Sequence, residues 1–90
     1  MDRIIITVVG KDQVGIIAKV TTLLYEAHIN ILDISQTIVA GFFNMMVVAD
    51  LSTSDVPFDV VERRLAELGD GMGLRIQTQR EAIFTAMHRI

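Results

Sequence analysis

The sequence contains no cysteine and no tryptophan, and it has only one proline and one tyrosine. Without cysteine the chain can form no disulfide, no thiolate metal site and no cysteine nucleophile. No apolar run approaches the ~18 residues that a membrane span needs. The strand-like N-terminus does not have the pattern of a signal peptide. These absences predict a cytoplasmic protein that does not enter a membrane.

Basic residues are also too few for a nucleic-acid-binding protein. The chain has 8 Lys and Arg against 11 Asp and Glu, for a formal net charge of −3. The basic residues are scattered along the sequence, whereas nucleic-acid binding usually needs them clustered on one face. Nucleic acid is therefore not an expected partner.

Apolar residues, in contrast, are abundant. They make up 51% of the 90 residues, and the mean hydropathy is +0.47. A folded chain of this size buries only ~60% of the surface that its unfolded state exposes. The surplus apolar surface therefore predicts a subunit interface, and we expect at least a homodimer.

The first third of the chain predicts a strand followed by a helix. The β-branched run from Ile4 to Val9 predicts a strand in which Ile4, Ile6 and Val8 share one face. The apolar residues that follow have helical spacing. Their stripe consists of Ile16, Ile17, Val20, Leu23, Leu24 and Ala27.

The middle of the chain predicts a β-hairpin. Residues 30 to 51 are rich in β-branched and aromatic residues and contain no proline, which favours two paired strands. The turn is expected at Ala40-Gly41. Met45 and Met46 would then point to opposite faces, so one is expected in the core and the other at an interface.

The last third predicts a helix, a strand and a short helix. Pro57 suits a first helical turn, and we expect Gly69 to end that helix. A strand with one polar face is expected from Met72 to Gln79. A C-terminal helix is expected over residues 81–90, and its apolar side consists of Ile83, Met87 and Ile90.

The resulting order is β-α-β-β-α-β followed by a terminal helix. It predicts one α+β domain over residues 1–90, with its core in residues 3–80, of the ferredoxin-like type. Right-handed crossovers place both main helices on one face of a four-stranded antiparallel sheet. The other face would be exposed in a monomer, where a second subunit could cover it or extend an edge; it carries Ile5, Val9, Val39, Met46 and Val48.

The junction between the first strand and the first helix is the leading candidate for a binding site. Gly15 has no Cβ, so a ligand carboxylate could approach the free N–H groups at the helix start. The alternative is that Gly15 lets the helix pack close to the sheet. Asp12 is expected to cap the helix, with a ligand ammonium as its second possible partner. Lys11 either pairs with an anion or is solvated.

The same junction does not have the residues of a phosphate loop. Gly10 and Gly15 satisfy the glycine spacing, but Ile16-Ile17 replaces the required Lys and Ser or Thr. His28 and His88 are far apart in sequence and have no third metal ligand nearby. No acid, base and nucleophile converge either. We therefore expect no catalysis, no metal and no cofactor.

Several short motifs in order resemble the ACT domain, a small regulatory module that senses amino acids. Asp12 and Gly15 match its D-x-x-G before the first helix, and Ile29-Asn30-Ile31 opens the second strand. Together with residues 34–37 and 83–88, they make the chain similar to stand-alone single-ACT proteins of prokaryotes. It is also similar to the N-terminal ACT units of glycine-cleavage-type repressors and formyltetrahydrofolate deformylases, without the deformylase catalytic domain.

This resemblance implies a regulatory homodimer that binds an amino acid or similar metabolite between the loop of one subunit and Asn30 of the other. The amide of Asn30 has the donors and the acceptor to bridge a carboxylate and an ammonium, although an Asn here is otherwise an ordinary turn residue. The implied site comprises Gly10, Lys11, Asp12, Gln13, Val14, Gly15, Ile16, Asn30 and Ile31.

Two questions remain open at the level of sequence. The family often has glycine just before Asn30, where this chain has Ala27-His28, so a left-handed turn there would be strained. The alternative function is a structural module of the same fold that docks a protein partner and binds no ligand.

Overall fold

The chain folds as four strands and three helices in a computed structural model that describes residues 1–87. The predicted β-α-β-β-α-β order and terminal helix are confirmed. Residues 88–90, the end of the predicted terminal helix, lie outside the described residues. The elements are β1 (Arg3–Lys11), α1 (Ile16–Glu26), β2 (Asn30–Val39), β3 (Phe42–Asp50), α2 (Phe58–Met72), β4 (Arg75–Arg80) and α3 (Glu81–Met87), with a 3₁₀ turn at Leu51–Thr53.

The strands form one antiparallel sheet in the order β2-β3-β1-β4. β1 pairs with β3 from Arg3, opposite Asp50, to Lys11, opposite Phe42. Its alternate residues Ile4, Ile6 and Val8 face the helices and have 0% exposure. The predicted ferredoxin-like, four-stranded α+β fold is therefore confirmed.

The core lies between this inner face of the sheet and helices α1 and α2. Met45 is buried there, whereas Met46 is exposed on the opposite face, as their adjacent positions in a strand require. The predicted stripe of α1 supplies Ile16, Val20, Leu24 and Ala27 to the core, and α2 supplies Val61 and Leu65.

Gly69 does not end α2, so this part of the prediction is wrong. The helix continues to Met72 and is capped by Gly73, whose φ is 68°. Gly69 lies where α2 approaches β4, and a Cβ there would be 2.8 Å from the carbonyl oxygen of Leu74. Glycine at position 69 therefore permits close packing between α2 and the chain at the start of β4. Because α2 continues to Met72, β4 starts only at Arg75.

This contact gives a matched pair of substitutions in one helix. Gly69→Ala should lower the free energy of unfolding by about 1–3 kcal/mol, because the new methyl group overpacks the contact with β4. Gly71→Ala meets nothing within 4 Å, so it should raise stability by up to ~1 kcal/mol through helix propensity. Urea unfolding followed by circular dichroism measures both, and equal midpoints would contradict the close-packing explanation.

The hairpin turn is at Ala40-Gly41, as predicted. Both residues have positive φ, 52° and 82°, which is typical of the type I′ turn that matches the twist of the flanking strands. Alanine is strained in this left-handed region, whereas asparagine tolerates it.

We therefore expect Ala40→Asn to stabilise the protein by about 0.5–1 kcal/mol, since it creates the Asn-Gly pair that type I′ turns favour. Thermal unfolding measures the change. Gly41→Ala is the opposing control and should lower the melting temperature. An unchanged midpoint for Ala40→Asn would show that the native turn holds no strain.

The terminal helix α3 folds back over the outer face of the sheet, the face opposite α1 and α2. Arg3 pairs with Glu81 at 3.4 Å, and Gln79 Nε2 donates to Met87 Sδ at 3.1 Å. Ile5, which the sequence placed on an exposed face, is consequently only 5% exposed, and that expectation is wrong. No helix among residues 1–87 is long and apolar enough to span a bilayer.

Candidate functional site

The connection between β1 and α1 is short, and hydrogen bonds attach it to two neighbouring segments of the chain. Gly10 and Lys11 belong to β1, which leaves residues 12–15 as the loop. Asp12 donates its backbone N–H to the Gly41 carbonyl at 2.9 Å. Gln13 Nε2 donates to the Met72 carbonyl, also at 2.9 Å. The loop is therefore held between the hairpin turn and the end of α2.

The start of α1 has no side-chain cap. Gly15 is the N-cap residue with φ 92°, and no side chain accepts a hydrogen bond from the first turn. The prediction that Asp12 caps the helix is wrong, because Asp12 lies three residues before that position. The first N–H groups of α1 therefore keep their hydrogen-bonding capacity, at the positive end of the helix dipole.

Gly15 is required by backbone conformation and not by close packing. A Cβ at this position would meet no atom nearer than Lys19 Cε, at 4.0 Å. The alternative that Gly15 lets the helix pack against the sheet therefore receives no support. A φ of 92° is accessible to glycine at little cost and to other residues only with strain.

A cavity of about 250 Å³ opens beside this helix start. Its volume is just below the ~300 Å³ at which drug-sized pockets begin, so it suits a small metabolite. Its polar groups are the open N–H groups and the side chains of Asp12, Gln13 and Gln36, and Phe43 forms part of its apolar wall. The lining consists of Asp12, Gln13, Gly15, Ile16, Ile17, Ala18, Gln36, Ile38 and Phe43.

Three residues of the expected loop site, Gly10, Lys11 and Val14, lie outside this lining. Gly10 is explained by packing, since a Cβ there would be 2.6 Å from Leu74 Cδ2. Lys11 is exposed at the end of β1, and Val14 is 98% exposed. Ile16 lines the cavity, but its side chain is buried in the core. Its main polar contribution is its backbone N–H.

Asn30 and Ile31 are not brought to the loop within one chain. Asn30 pairs with Asp50, which pairs in turn with Arg3. These three residues lie at one end of the sheet, and Lys11 lies at the other end. Arg3 and Lys11 are eight residue steps apart along the strand, a distance of ~26 Å at ~3.3 Å per residue. Ile31 packs against the core. Asn30 is exposed, so a second chain is required if it is to meet the loop.

The turn before Asn30 does adopt the left-handed conformation. His28 has φ 58°. Its Nδ1 pairs with Asp55 Oδ2, and its carbonyl accepts from Thr53 Oγ1 at 2.8 Å. These contacts hold the strained residue where the family often has glycine, and they fix the start of β2.

The sequence-based prediction of the site missed five residues of the cavity lining, which are Ile17, Ala18, Gln36, Ile38 and Phe43. One signal was available for Gln36. It lies between Ile34 and Ile38 on the inner side of β2, where the alternation requires an apolar residue. Phe43 carried no such signal, because a buried aromatic on a strand looks like ordinary core.

Asp50 lies beside Asn30, at the end of the sheet away from the cavity. The pKa of Asp50, beside Asn30, is lowered chiefly because its carboxylate accepts the backbone N–H of Ser52. Within residues 1–87, no group of three His, Asp or Glu side chains could hold a metal ion.

The geometry of the helix start predicts unequal effects for two substitutions. Gly15→Ala should destabilise the protein by about 1–2 kcal/mol, because alanine is strained at φ 92°. Asp12→Ala should change the free energy of unfolding by less than ~0.5 kcal/mol, because its side chain does not cap the helix. Denaturant unfolding compares the two. A larger loss of stability for Asp12→Ala than for Gly15→Ala would show that the Asp12 side chain caps the helix.

Comparison with known proteins gives consistent matches over nearly the whole chain. The family model described as ACT domain matches residues 2–79. A UPF0237 protein of Bifidobacterium longum is 54% identical over 90 residues and is matched over 100% of both chains.

Solved structures of similar proteins have the same fold as this chain. An ACT domain protein from Streptococcus pneumoniae superposes with a TM-score of 0.80 at 38% identity, over 92% of this chain and 93% of that one. A putative glycine cleavage system transcriptional repressor gives a TM-score of 0.74 at 28% identity, over 88% of this chain and 45% of that one.

Proposed function

This chain belongs to the ACT domain family, and from that membership we propose that it is a regulatory, non-catalytic module that binds an amino acid or similar small molecule as a homo-oligomer. The observation that carries the proposal is the cavity at the uncapped start of α1. The cysteine-free composition suits the reducing cytoplasm, where we place its action.

The chemistry of the cavity fits one end of an amino acid. A carboxylate would accept hydrogen bonds from the free N–H groups of α1. This interaction contributes about 0.3–1 kcal/mol at an exposed helix end and ~2 kcal/mol when partly buried, so further contacts must supply affinity. Gln36 offers an amide to the ligand, and Ile38 offers apolar contact.

The neighbouring edge of the sheet supports assembly with a second copy. β2 is an edge strand of ten residues with no proline, and Asp33 is its single charge. Ile34 and Ile38 on its inner side are exposed. Long edges of this kind are templates for pairing with another strand. Two β2 strands related by a twofold axis would pair antiparallel and extend the sheet to eight strands.

That arrangement would also complete the binding site. In antiparallel pairing, the start of the partner's β2 lies beside the end of this chain's β2. The end of β2, at Ile38 and Val39, adjoins the cavity. Asn30 of the second copy would therefore approach the helix start that Asn30 of the same chain cannot reach. Each dimer would hold two such sites.

Thermal unfolding against each of the twenty amino acids at millimolar concentration tests this proposal. A ligand at a hundred times its Kd stabilises by ~2.7 kcal/mol, so the melting temperature of a domain of this size should rise by more than ~10 °C. Asn30→Ala and Gln36→Ala should reduce the rise strongly. Asn44→Ala, the same residue type on the outer face of β3, is the control and should preserve it.

Two outcomes would contradict amino-acid binding. One is no shift with any amino acid, which would favour the alternative of a module that docks a protein partner. The other is a shift that Asn30→Ala and Gln36→Ala leave unchanged, which would place the ligand elsewhere on the chain.

A further inference from the structure

The side chain of Gln13 is held in one orientation at the cavity beside the start of α1. Its Nε2 atom donates to the Met72 carbonyl at 2.9 Å and to the Lys11 carbonyl at 3.3 Å. A side-chain amide has two N–H donors and one oxygen acceptor. Because carbonyl oxygens only accept, these two partners identify the nitrogen end of the amide and use both of its N–H groups.

The oxygen of this amide is therefore the only hydrogen-bonding atom of the Gln13 side chain that a ligand can use. Gln13 lines the cavity, and no donor within residues 1–87 bonds to its Oε1 atom. Asp12 lines the same cavity and adds a carboxylate, which also only accepts hydrogen bonds when ionised. That carboxylate is in no ion pair with another described residue. The loop thus contributes acceptors to the cavity.

The helix that follows the loop contributes the opposite polarity. The first N–H groups of α1 have no side-chain partner, and they form the positive end of the helix dipole. The side chain of Lys19 extends back towards this point, since its Cε would be 4.0 Å from a Cβ at Gly15. Lys19 forms no ion pair in the part of the chain that the structure describes. Donors and a cation at the helix start therefore adjoin acceptors on the loop.

We propose that Gln13 Oε1, together with the Asp12 carboxylate, accepts hydrogen bonds from the ammonium group of the ligand and makes the site selective for 2-amino acids over 2-hydroxy acids. This inference rests on the function proposed above, in which the α1 N–H groups bind the ligand carboxylate. In a 2-amino acid the ammonium is attached one carbon away from the carboxylate. One loop and the helix that follows it can therefore bind both groups.

A 2-hydroxy acid has the same carboxylate and a similar shape, but it has one neutral O–H where the amino acid has three N–H groups and a positive charge. It can satisfy only one of the two acceptors on the loop, and it does not neutralise the Asp12 carboxylate. Hydrogen bonds between charged groups are about twice as strong as neutral ones, and a site whose polar groups lose a partner rejects the analogue. We expect the amino acid to bind at least ~10-fold more tightly.

The other two amides of the proposed site do not have this selectivity. The side chains of Gln36 and Asn30 are in no hydrogen bond among residues 1–87, so each can turn either its donors or its acceptor to a ligand. They would strengthen the binding of an amino acid and of a hydroxy acid alike. Only Gln13 has its donors occupied, and it alone of the three amides distinguishes the two ligand classes.

Isothermal titration calorimetry of the intact chain with matched ligand pairs tests the proposal. The pairs are L-alanine with L-lactate, L-leucine with L-2-hydroxyisocaproate and L-phenylalanine with L-phenyllactate, and any other amino acid that raises the melting temperature is compared with its own 2-hydroxy analogue. The readout is the ratio of the two Kd values within a pair. A purely structural effect of a substitution would weaken both members alike and leave this ratio unchanged.

Two substitutions of Gln13 separate the acceptor from the donors. Gln13→Met removes the oxygen and should lower the preference for the amino acid about 5-fold, the effect of one net hydrogen bond. Gln13→Lys keeps a donor for the Met72 carbonyl but presents a cation to the ammonium, so it should lower the preference further. Gln77→Met and Gln77→Lys, at an exposed amide on β4 outside the cavity lining, are the controls and should change neither Kd.

The possible failures are distinguishable. Equal Kd values for the two members of a pair in the native protein would overturn the role of Gln13 and leave carboxylate binding at the helix start intact. A preference that both Gln13 variants keep, and that Asn30→Ala removes, would overturn it in favour of recognition of the amine by the second copy. If no amino acid and no hydroxy acid binds, the proposed function itself is wrong, and the selectivity inferred from it is wrong as well.

Discussion

The pairing of β1 with both β3 and β4 is the interaction on which the rest of the structure depends. β1 lies between these two strands, and its inner side chains have no contact with solvent. The C-terminal end of β1 leads into the loop of residues 12–15, so the position of β1 fixes where α1 can begin. The register of one buried strand therefore determines the location of an uncapped helix start.

The binding site proposed above would be incomplete in a single chain for a geometric reason. The uncapped N–H groups and Gln36 lie at one end of the sheet, whereas Asn30 begins β2 at the other. Strand pairing makes these positions rigid, so no local movement can bring them together. Any ligand that uses both must bind between chains, which would link its concentration to the state of assembly.

The apolar surplus of the composition is concentrated on two surfaces. One is the β2 edge with Ile34 and Ile38, and the other is the outer face with α3. In each case apolar side chains are exposed to solvent in the single chain, whereas the core between the sheet and helices α1 and α2 is buried. A small domain with little interior gains stability when such surfaces are covered.

The sequence by itself determined the order of the elements and the faces that form the core. Apolar periodicity is a local property, so the stripe of α1 and the alternation of β1 are readable without a structure. Only the tertiary structure decided the role of Gly69, which depends on the approach of β4, and the burial of Ile5, which depends on α3.

The composition of the candidate site was likewise decided only by the tertiary structure. Gln36 and Phe43 join the helix start through the pairing of β2 with β3, and the distance to Asn30 follows from the sheet register. These are contacts between residues far apart in sequence, which no local pattern encodes.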